Sequence, residues 1–424
     1  MSNYVSLSFN LWLLIFIVFL FTTNEQVKAQ GKEDQAADLM EVFIDCQGGC
    51  DINYIRQEID YVNHVRDQLE AQVHVFITRQ YSSSGGHIYD LSFTGRNDYE
   101  GINNQFQFIA LTTETEDEIR KGLTKSIERG LVSYLVHTDL GEKLDISLKE
   151  KPTNKNQATG KDPWRNWLFD IYANGSLDEE QNRKRFVLRS GLEADRVTEE
   201  WRVGTNLQLN FDELKVFADS SNIIYRNTHR HSLNSRVVKS MGDHWSSGLS
   251  GGFYTSTYSN LKERYYLGPA LEYSLFPYSQ VLRREITLAY RVSYSIQNYY
   301  EESIFNKLGD TFGSQSITLN VRYRQPWGSI YSSIRGSHFL KDINKNRLEI
   351  NNNSSVRIFK GLSVRINVNF KIIGDQIYLP KGEASLEDVL LQQKQVATAY
   401  DLYVGGGLSY TFGSIYNNVL NTRL

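Results

Sequence analysis

Between residues 285 and 296 the chain reads EITLAYRVSYSI, and its apolar and polar residues take strict turns. Ile286, Leu288, Tyr290, Val292, Tyr294 and Ile296 form one set, and Glu285, Thr287, Ala289, Arg291, Ser293 and Ser295 the other. Side chains of an extended strand point alternately to its two faces, so this segment is a strand with one oily and one wet side. The same period returns in Trp167, Phe169, Ile171 and Ala173; in Trp201, Val203, Thr205, Leu207, Leu209 and Phe211; and in Ile317, Leu319, Val321 and Tyr323. It continues in Leu362, Val364, Ile366, Val368, Phe370 and Ile372, and in Leu402, Val404, Gly406, Leu408, Tyr410 and Phe412. Weaker segments at 186–194, 229–239, 245–257, 265–275, 330–336 and 348–358 bring the expected number to about twelve strands.

Two folds accept such strands. A soluble sandwich turns the oily faces to a shared core, whereas a membrane barrel turns them to lipid and encloses the wet ones. Connection lengths favour the barrel. After even-numbered strands they are short, around Thr198, at Met241-Gly242-Asp243 and at PYSQVL, QPWG and FKG. After odd-numbered ones they read LDEEQNRK, DELKVFADSSNIIYRN, QNYYEESIFNKLGDTFG and the stretch 374–398. Short turns on one rim and long loops on the other are a barrel property that a sandwich has no reason to share. The polar sets then become a lumen lining: Arg202 on one strand, Glu285 and Arg291 on another, then Arg322 and Arg324, Glu349, and Arg365 with Lys371. A solvated sandwich face is the alternative for these charges. Pro269, which removes one ladder donor, is expected to mark a bulge or strand end. The 26 Tyr, 21 Phe and 30 Gly suit strands with interfacial aromatic girdles, and a net charge of −3 leaves no electrostatic footprint for nucleic acid.

Residues 1–29 read as a signal peptide, with an apolar run from Leu11 to Phe21 and a small-residue cleavage site ending at Ala29. Its amino-terminal flank lacks Lys and Arg, which leaves an uncleaved anchor as the alternative; Gln30 rather than Cys follows, so a lipoprotein is not expected. No later stretch reaches the roughly 18 to 20 apolar residues of a spanning helix, which excludes a helical membrane bundle. Residues 38–148 are expected to form a small α+β domain. MEVFIDC reads as a strand, and Asp51 caps a helix carrying Ile52, Ile55, Ile59, Val62, Val65 and Leu69. The strands QVHVFITRQY, HIYDLSFTG and NQFQFIALT follow, and Thr115 with Glu118 makes a capping box for a helix bearing Ile119, Leu123, Ile127, Leu131 and Leu135. LDISL is a candidate last strand. Residues 149–163, KEKPTNKNQATGKDP, are a linker, 164–412 the barrel and 413–424 a tail.

Little in the chain carries chemistry. In an exported protein Cys46 and Cys50 read as a short-loop disulfide, with a free pair or a metal site as alternatives; His64, His74 and His87 are scattered over expected helix, strand and loop. HRHSLNSR at 229–236 invites comparison with lipases that place His and Ser two apart on one strand face, but Ser232 is three residues from His229 and adjacent to His231. Surface-loop polarity is the expected role for these residues. Asp243-His244 reads as turn chemistry, and Ser84-Gly85-Gly86 as a hairpin turn. The expectation is a non-enzymatic protein without cofactor or metal.

The last strand ends in GGLSYTF, and Gly407, Tyr410 and Phe412 resemble the carboxy-terminal recognition signal of bacterial outer-membrane barrels. In that family the signal closes the chain, whereas about a dozen residues follow it here. Signal, small domain and barrel together resemble outer-membrane proteins of the type common in Bacteroidota. The resemblance implies an outer-membrane barrel with its amino-terminal domain in the periplasm, in contact with outer-membrane lipid and with the barrel-assembly machinery. Two functions from different classes follow: a narrow channel for small polar solutes, or an anchor presenting the α+β domain to a periplasmic protein partner in envelope assembly. A surface acyl-hydrolase is the third reading, and about twelve strands make a wide general porin an unsuitable one.

Overall fold

The computed structural model describes residues 39–81, 86–144, 164–217, 223–382, 391, 393–414, 416 and 418. The expected signal peptide, the linker 149–163, residues 145–148 of LDISL and Ser84-Gly85 of the hairpin turn lie outside them.

The first part of the chain runs β1 (Glu41–Gln47), α1 (Ile52–Glu58), β2 (Asn63–His64), β3 (Val73–Tyr81), β4 (His87–Gly95), β5 (Asn103–Ala110) and α2 (Glu116–Leu135). Its sheet has the order β2-β1-β3-β4-β5, parallel where β1 meets β2 and β3 and antiparallel beyond. Both helix starts are as expected. The Asp51 carboxylate accepts from the Tyr54 N–H at 3.0 Å, and Thr115 and Glu118 complete a reciprocal capping box. The first helix, however, stops at Glu58. Ile59, Val62 and Val65 are buried by a turn and by β2 rather than by further helix, and Leu69 is 62% exposed. Residues 63 and 64 instead pair with Glu41 and Val42, because a strand edge satisfies their backbone groups and still sinks the flanking valines.

Val42, Val73, Val75, Ile77, Leu91 and Phe93 on one sheet face pack against Ile55, Leu123, Ile127 and Leu131 of the helices. The opposite face is buried as well: Phe43, Asp45, His74, Phe76, Thr78 and Asp90 are at most 9% exposed. A half-polar sheet face without helices over it needs another cover.

Twelve strands follow: β6 (Trp167–Glu180), β7 (Arg183–Val197), β8 (Trp201–Phe217), β9 (Ile223–Ser240), β10 (Trp245–Ser256), β11 (Leu261–Ser274), β12 (Arg284–Tyr299), β13 (Gly309–Gln325), β14 (Gly328–Phe339), β15 (Asp342–Phe359), β16 (Leu362–Ile373) and β17 (Tyr400–Tyr410). Every neighbour pair is antiparallel and consecutive in sequence, from β6 at one edge to β17 at the other. Among the described residues no ladder joins these two edges. The expected fold class is therefore met, twelve antiparallel strands behind a small α+β region.

Several strands are longer than their alternation suggests. LDEEQNRK is strand on both sides of a turn at Gln181-Asn182, and β8 and β9 reach Phe217 and Ile223. Part of what reads as long loop is ladder continuing above the apolar belt. Pro269 lies inside β11 opposite Leu249, and the β11–β12 register is the same on both sides of it, so it marks neither a bulge nor a strand end. Its missing donor costs one rung facing Val292 and Ser293, which the register tolerates.

Candidate functional site: the lumen and its cover

Registers sort the side chains into rows across the sheet. Leu288, Leu319, Ile334, Ile350, Phe370 and Leu402 are successive partners on β12 to β17 and make one continuous apolar row. One residue along, the row is Ala289, Thr318, Arg335, Glu349, Lys371 and Asp401. Exposure is inverted relative to a soluble protein: Leu288, Tyr290, Tyr294 and Ile296 are 44–58% exposed, whereas Thr287, Ser295 and Gln297 are at most 2%. At the short-turn rim the apolar face ends in aromatics, with Trp245 against Tyr273, and Phe359, Tyr410 and Phe412 in contact.

The polar face is the concave one. A cavity of about 490 Å³ draws Asn234, Tyr254, Arg264, Arg291, Ser316, Arg335 and Glu349 from seven different strands, which requires the sheet to curl around that side. Close approach there depends on glycine. A Cβ on Gly252 would sit 2.9 Å from the Tyr266 ring, whose hydroxyl crosses it to donate to the Asn234 side chain at 2.7 Å.

Ion pairs fill much of the remaining space. Arg322 meets Glu285 at 3.1 Å and Lys371 meets Asp401 at 3.2 Å; Asp212 holds Arg185 at 2.6 Å and Arg226 at 2.7 Å. Arg291 and Glu349 line the large cavity, Arg365 lies between Ser355 and Gly407 on the polar face, and Arg324 turns to the rim to donate to the Leu282 carbonyl at 3.4 Å. The chain after β16 folds back over the cavity. Arg347 grips Asp375 through three hydrogen bonds of 2.7 to 3.0 Å, Ile377 and Leu379 are buried, and the Asn260 amide donates to the Tyr378 carbonyl at 2.9 Å.

At the other rim the α+β region supplies its half-polar sheet face. Asp90, 2% exposed, accepts from Gln105 at 2.8 Å and from Arg283 of the β11–β12 connection at 3.3 Å. Asp45 lies 3.6 Å from His74 and 3.8 Å from Arg357, whose guanidinium also covers the Phe43 ring. In the β15–β16 turn Lys360 pairs with Glu70, and the Gly361 N–H donates to Asp67 at 3.1 Å. Arg202 lines a second cavity, about 410 Å³, between Asp170, Glu193 and Asp195 of the β6–β8 end and Tyr81, His87 and Glu114 of the α+β region. Contacts at β6–β8, β11–β12 and β15–β16 put that region across the short-turn mouth.

The residues after β17 return to the same place. Tyr416 bridges Val65 in antiparallel fashion, and Asn418 accepts from the His64 N–H at 2.7 Å. They extend the α+β sheet beyond β2. Gly407 and Tyr410 lie in β17 and Phe412 just past it at 82% exposure, and of the tail Tyr416 and Asn418 meet the α+β region.

Cys46 and Cys50 form a disulfide linking the end of β1 to the start of α1. No group of His, Cys, Asp and Glu suited to a metal occurs among the described residues. HRHSLNSR lies within β9 and not in a surface loop, because the ladder to β8 and β10 continues through it. Alternation puts Ser232 on the polar face and His229 and His231 on the apolar one, so the lipase arrangement is not assembled; His229 meets the Tyr300 hydroxyl at 3.0 Å and His231 packs on Phe211. Asp243 and His244 sit in the β9–β10 turn, where His244 Nδ1 lies 2.7 Å from the Ser274 carbonyl. Sequence reasoning missed Arg264, Arg335, Asp375 and the rim contacts; Arg335 lies in a segment whose alternation is weak and Arg264 just before another.

No protein-family model and no curated protein matches the sequence. Among solved structures the chain is similar to the CymD monoaromatic hydrocarbon channel, with a TM-score of 0.23 and 9% identity over 70% of this chain and 81% of that one. A likeness at that score is too slight to carry fold or function, which rest on the strand ladder and its faces.

Proposed function

We propose that this protein is an outer-membrane β-barrel with a narrow polar channel, whose periplasmic mouth is covered by its own α+β region. The supporting observation is the face inversion on β12: Leu288, Tyr290, Tyr294 and Ile296 are 44–58% exposed while Thr287, Ser295 and Gln297, on the polar face, are at most 2% exposed. In water that arrangement wastes its hydrophobic area, about 25 cal/mol per Å². In a bilayer it is the stable one. Unpaired strand edges are expensive in hydrocarbon, and with an even strand count β6 and β17 run antiparallel, so in the membrane they meet and close the ring. Short turns face the periplasm in such barrels, which puts the cover on that side.

Passage of small polar solutes is the activity this lumen suits. Its test is conductance of the full chain in planar bilayers, after heat-modifiable gel migration has established a closed, detergent-resistant barrel. A folded protein that passes no solute and no current overturns the channel; one that stays dissolved and monomeric without detergent overturns the membrane reading. The anchor reading keeps one observation in its favour, the edge of β5, which carries no further strand among the described residues. Capture of a periplasmic protein that is lost on placing Pro at Gln105 and Gln107 would support it, and unchanged capture would remove it.

A further inference from the structure

The cavity under the inward-folded segment is where positive charge is left over. Arg264, Arg291, Arg335, Lys345 and Arg347 line it against two carboxylates, Glu349 and Asp375, a surplus of three. Both carboxylates are engaged by Arg347, at 3.4 and 2.7 Å. Lys345 lies 4.3 Å from the Phe305 ring. Among the described residues Arg264, Arg291 and Arg335 form no ion pair, and the Nε of Arg264 is buried without an acceptor. Elsewhere on the polar face Arg322–Glu285, Lys371–Asp401 and Arg185–Asp212 are paired; here three guanidinium groups without such partners converge on one cavity.

We propose that this cavity is a binding site and filter for small oxyanions, carboxylate or phosphate. The inference rests on the channel reading. A guanidinium presents a planar fork of donors that fits two oxygens of either group, and the hydroxyl of Tyr254 adds a donor for a further oxygen. Walls of low dielectric sharpen the attraction, because a surplus charge in a narrow lumen is screened less than one on a surface. The volume of about 490 Å³ suits a small multiply charged acid.

The experiment uses the full chain in planar bilayers under a KCl gradient, with citrate and inorganic phosphate added separately as blockers. Expected are a chloride preference over potassium of roughly fivefold and block of the chloride current at millimolar concentration by at least one of the two, whose relative potency tells carboxylate from phosphate. Replacing Arg291→Gln and Arg335→Gln together should bring the preference near unity and weaken block about tenfold. The paired Arg291→Lys and Arg335→Lys variant should keep the preference and lose much of the block, since charge remains and the fork does not. Lys239→Gln, a change on the apolar face above the Trp201 ring, should alter neither. A current without anion preference, or one the double Gln variant leaves unchanged, overturns the filter and leaves the channel standing. Absence of current from heat-modifiable protein overturns both.

Discussion

Leu288 and Ala289 are neighbours in β12 with opposite surroundings, and a lysine placed at each in turn separates the two faces. Leu288 is half exposed and has Tyr273 and Leu319 as cross-strand partners. It lies two positions from Ile286 and Tyr290, within the apolar belt. A lysine near the middle of such a belt costs about 2 to 4 kcal/mol, which lowers the folded-to-unfolded ratio by roughly 30-fold to 1,000-fold. Ala289 faces the lumen with Glu272 directly opposite on β11 and Thr318 on β13. A lysine there gains an anionic partner and stays hydrated, so its effect should be within about 1 kcal/mol and of either sign. The assay is urea titration of the protein refolded into lipid vesicles, read by the folded band on unheated gels. Equal destabilisation by Leu288→Lys and Ala289→Lys, or a larger loss at Ala289, would refute the face assignment and with it the membrane.

Three other expectations follow from the cover, the seam and a buried imidazole. Arg283→Ala leaves the 2%-exposed Asp90 with Gln105 alone and should weaken docking by about 1 to 3 kcal/mol; a cysteine at Thr78, on the covered sheet face, should then be labelled roughly tenfold faster, and unchanged labelling would mean that Arg283 does not hold the cover. Ile171→Cys combined with single cysteines along β17 should give one strongly cross-linked pair in vesicles, while the absence of any would leave the ring unclosed. Burial lowers the His64 pKa below 6.5 despite its bond to the Ile59 carbonyl at 2.7 Å, so the folded state disfavours protonation. Stability from the neutral ring is complete above about pH 6.5 and declines as pH falls below it; His64→Gln should flatten that decline in denaturant midpoints measured between pH 7.5 and 5.

The twelve strands were legible because a period of two survives in any strand with unlike faces, as in residues 285–296. Their ends were not, since above the belt LDEEQNRK is charged all round and reads as loop although it pairs. In α1 the three- and four-residue spacing of Ile55, Ile59, Val62 and Val65 continues past the last helical turn, because two different elements bury residues at that spacing. The cover had one local signal, the unbroken buried run VHVFIT of β3, which marks a strand shielded on both sides without saying by what. Arg291 was found through its strand, but the surplus it joins arises from residues 264 to 375, and no linear window contains it.

The strip formed by Tyr416 and Asn418 beside β2 ties the order of synthesis to the finished molecule. The α+β sheet is made first, yet its outer margin is completed by residues translated after all twelve strands. Until β17 has emerged and been inserted, that margin remains open to other extended chains. If the chain is exported to the periplasm as proposed above, a chaperone that shields bare strand edges is expected to hold it until the last strand arrives and to release it then.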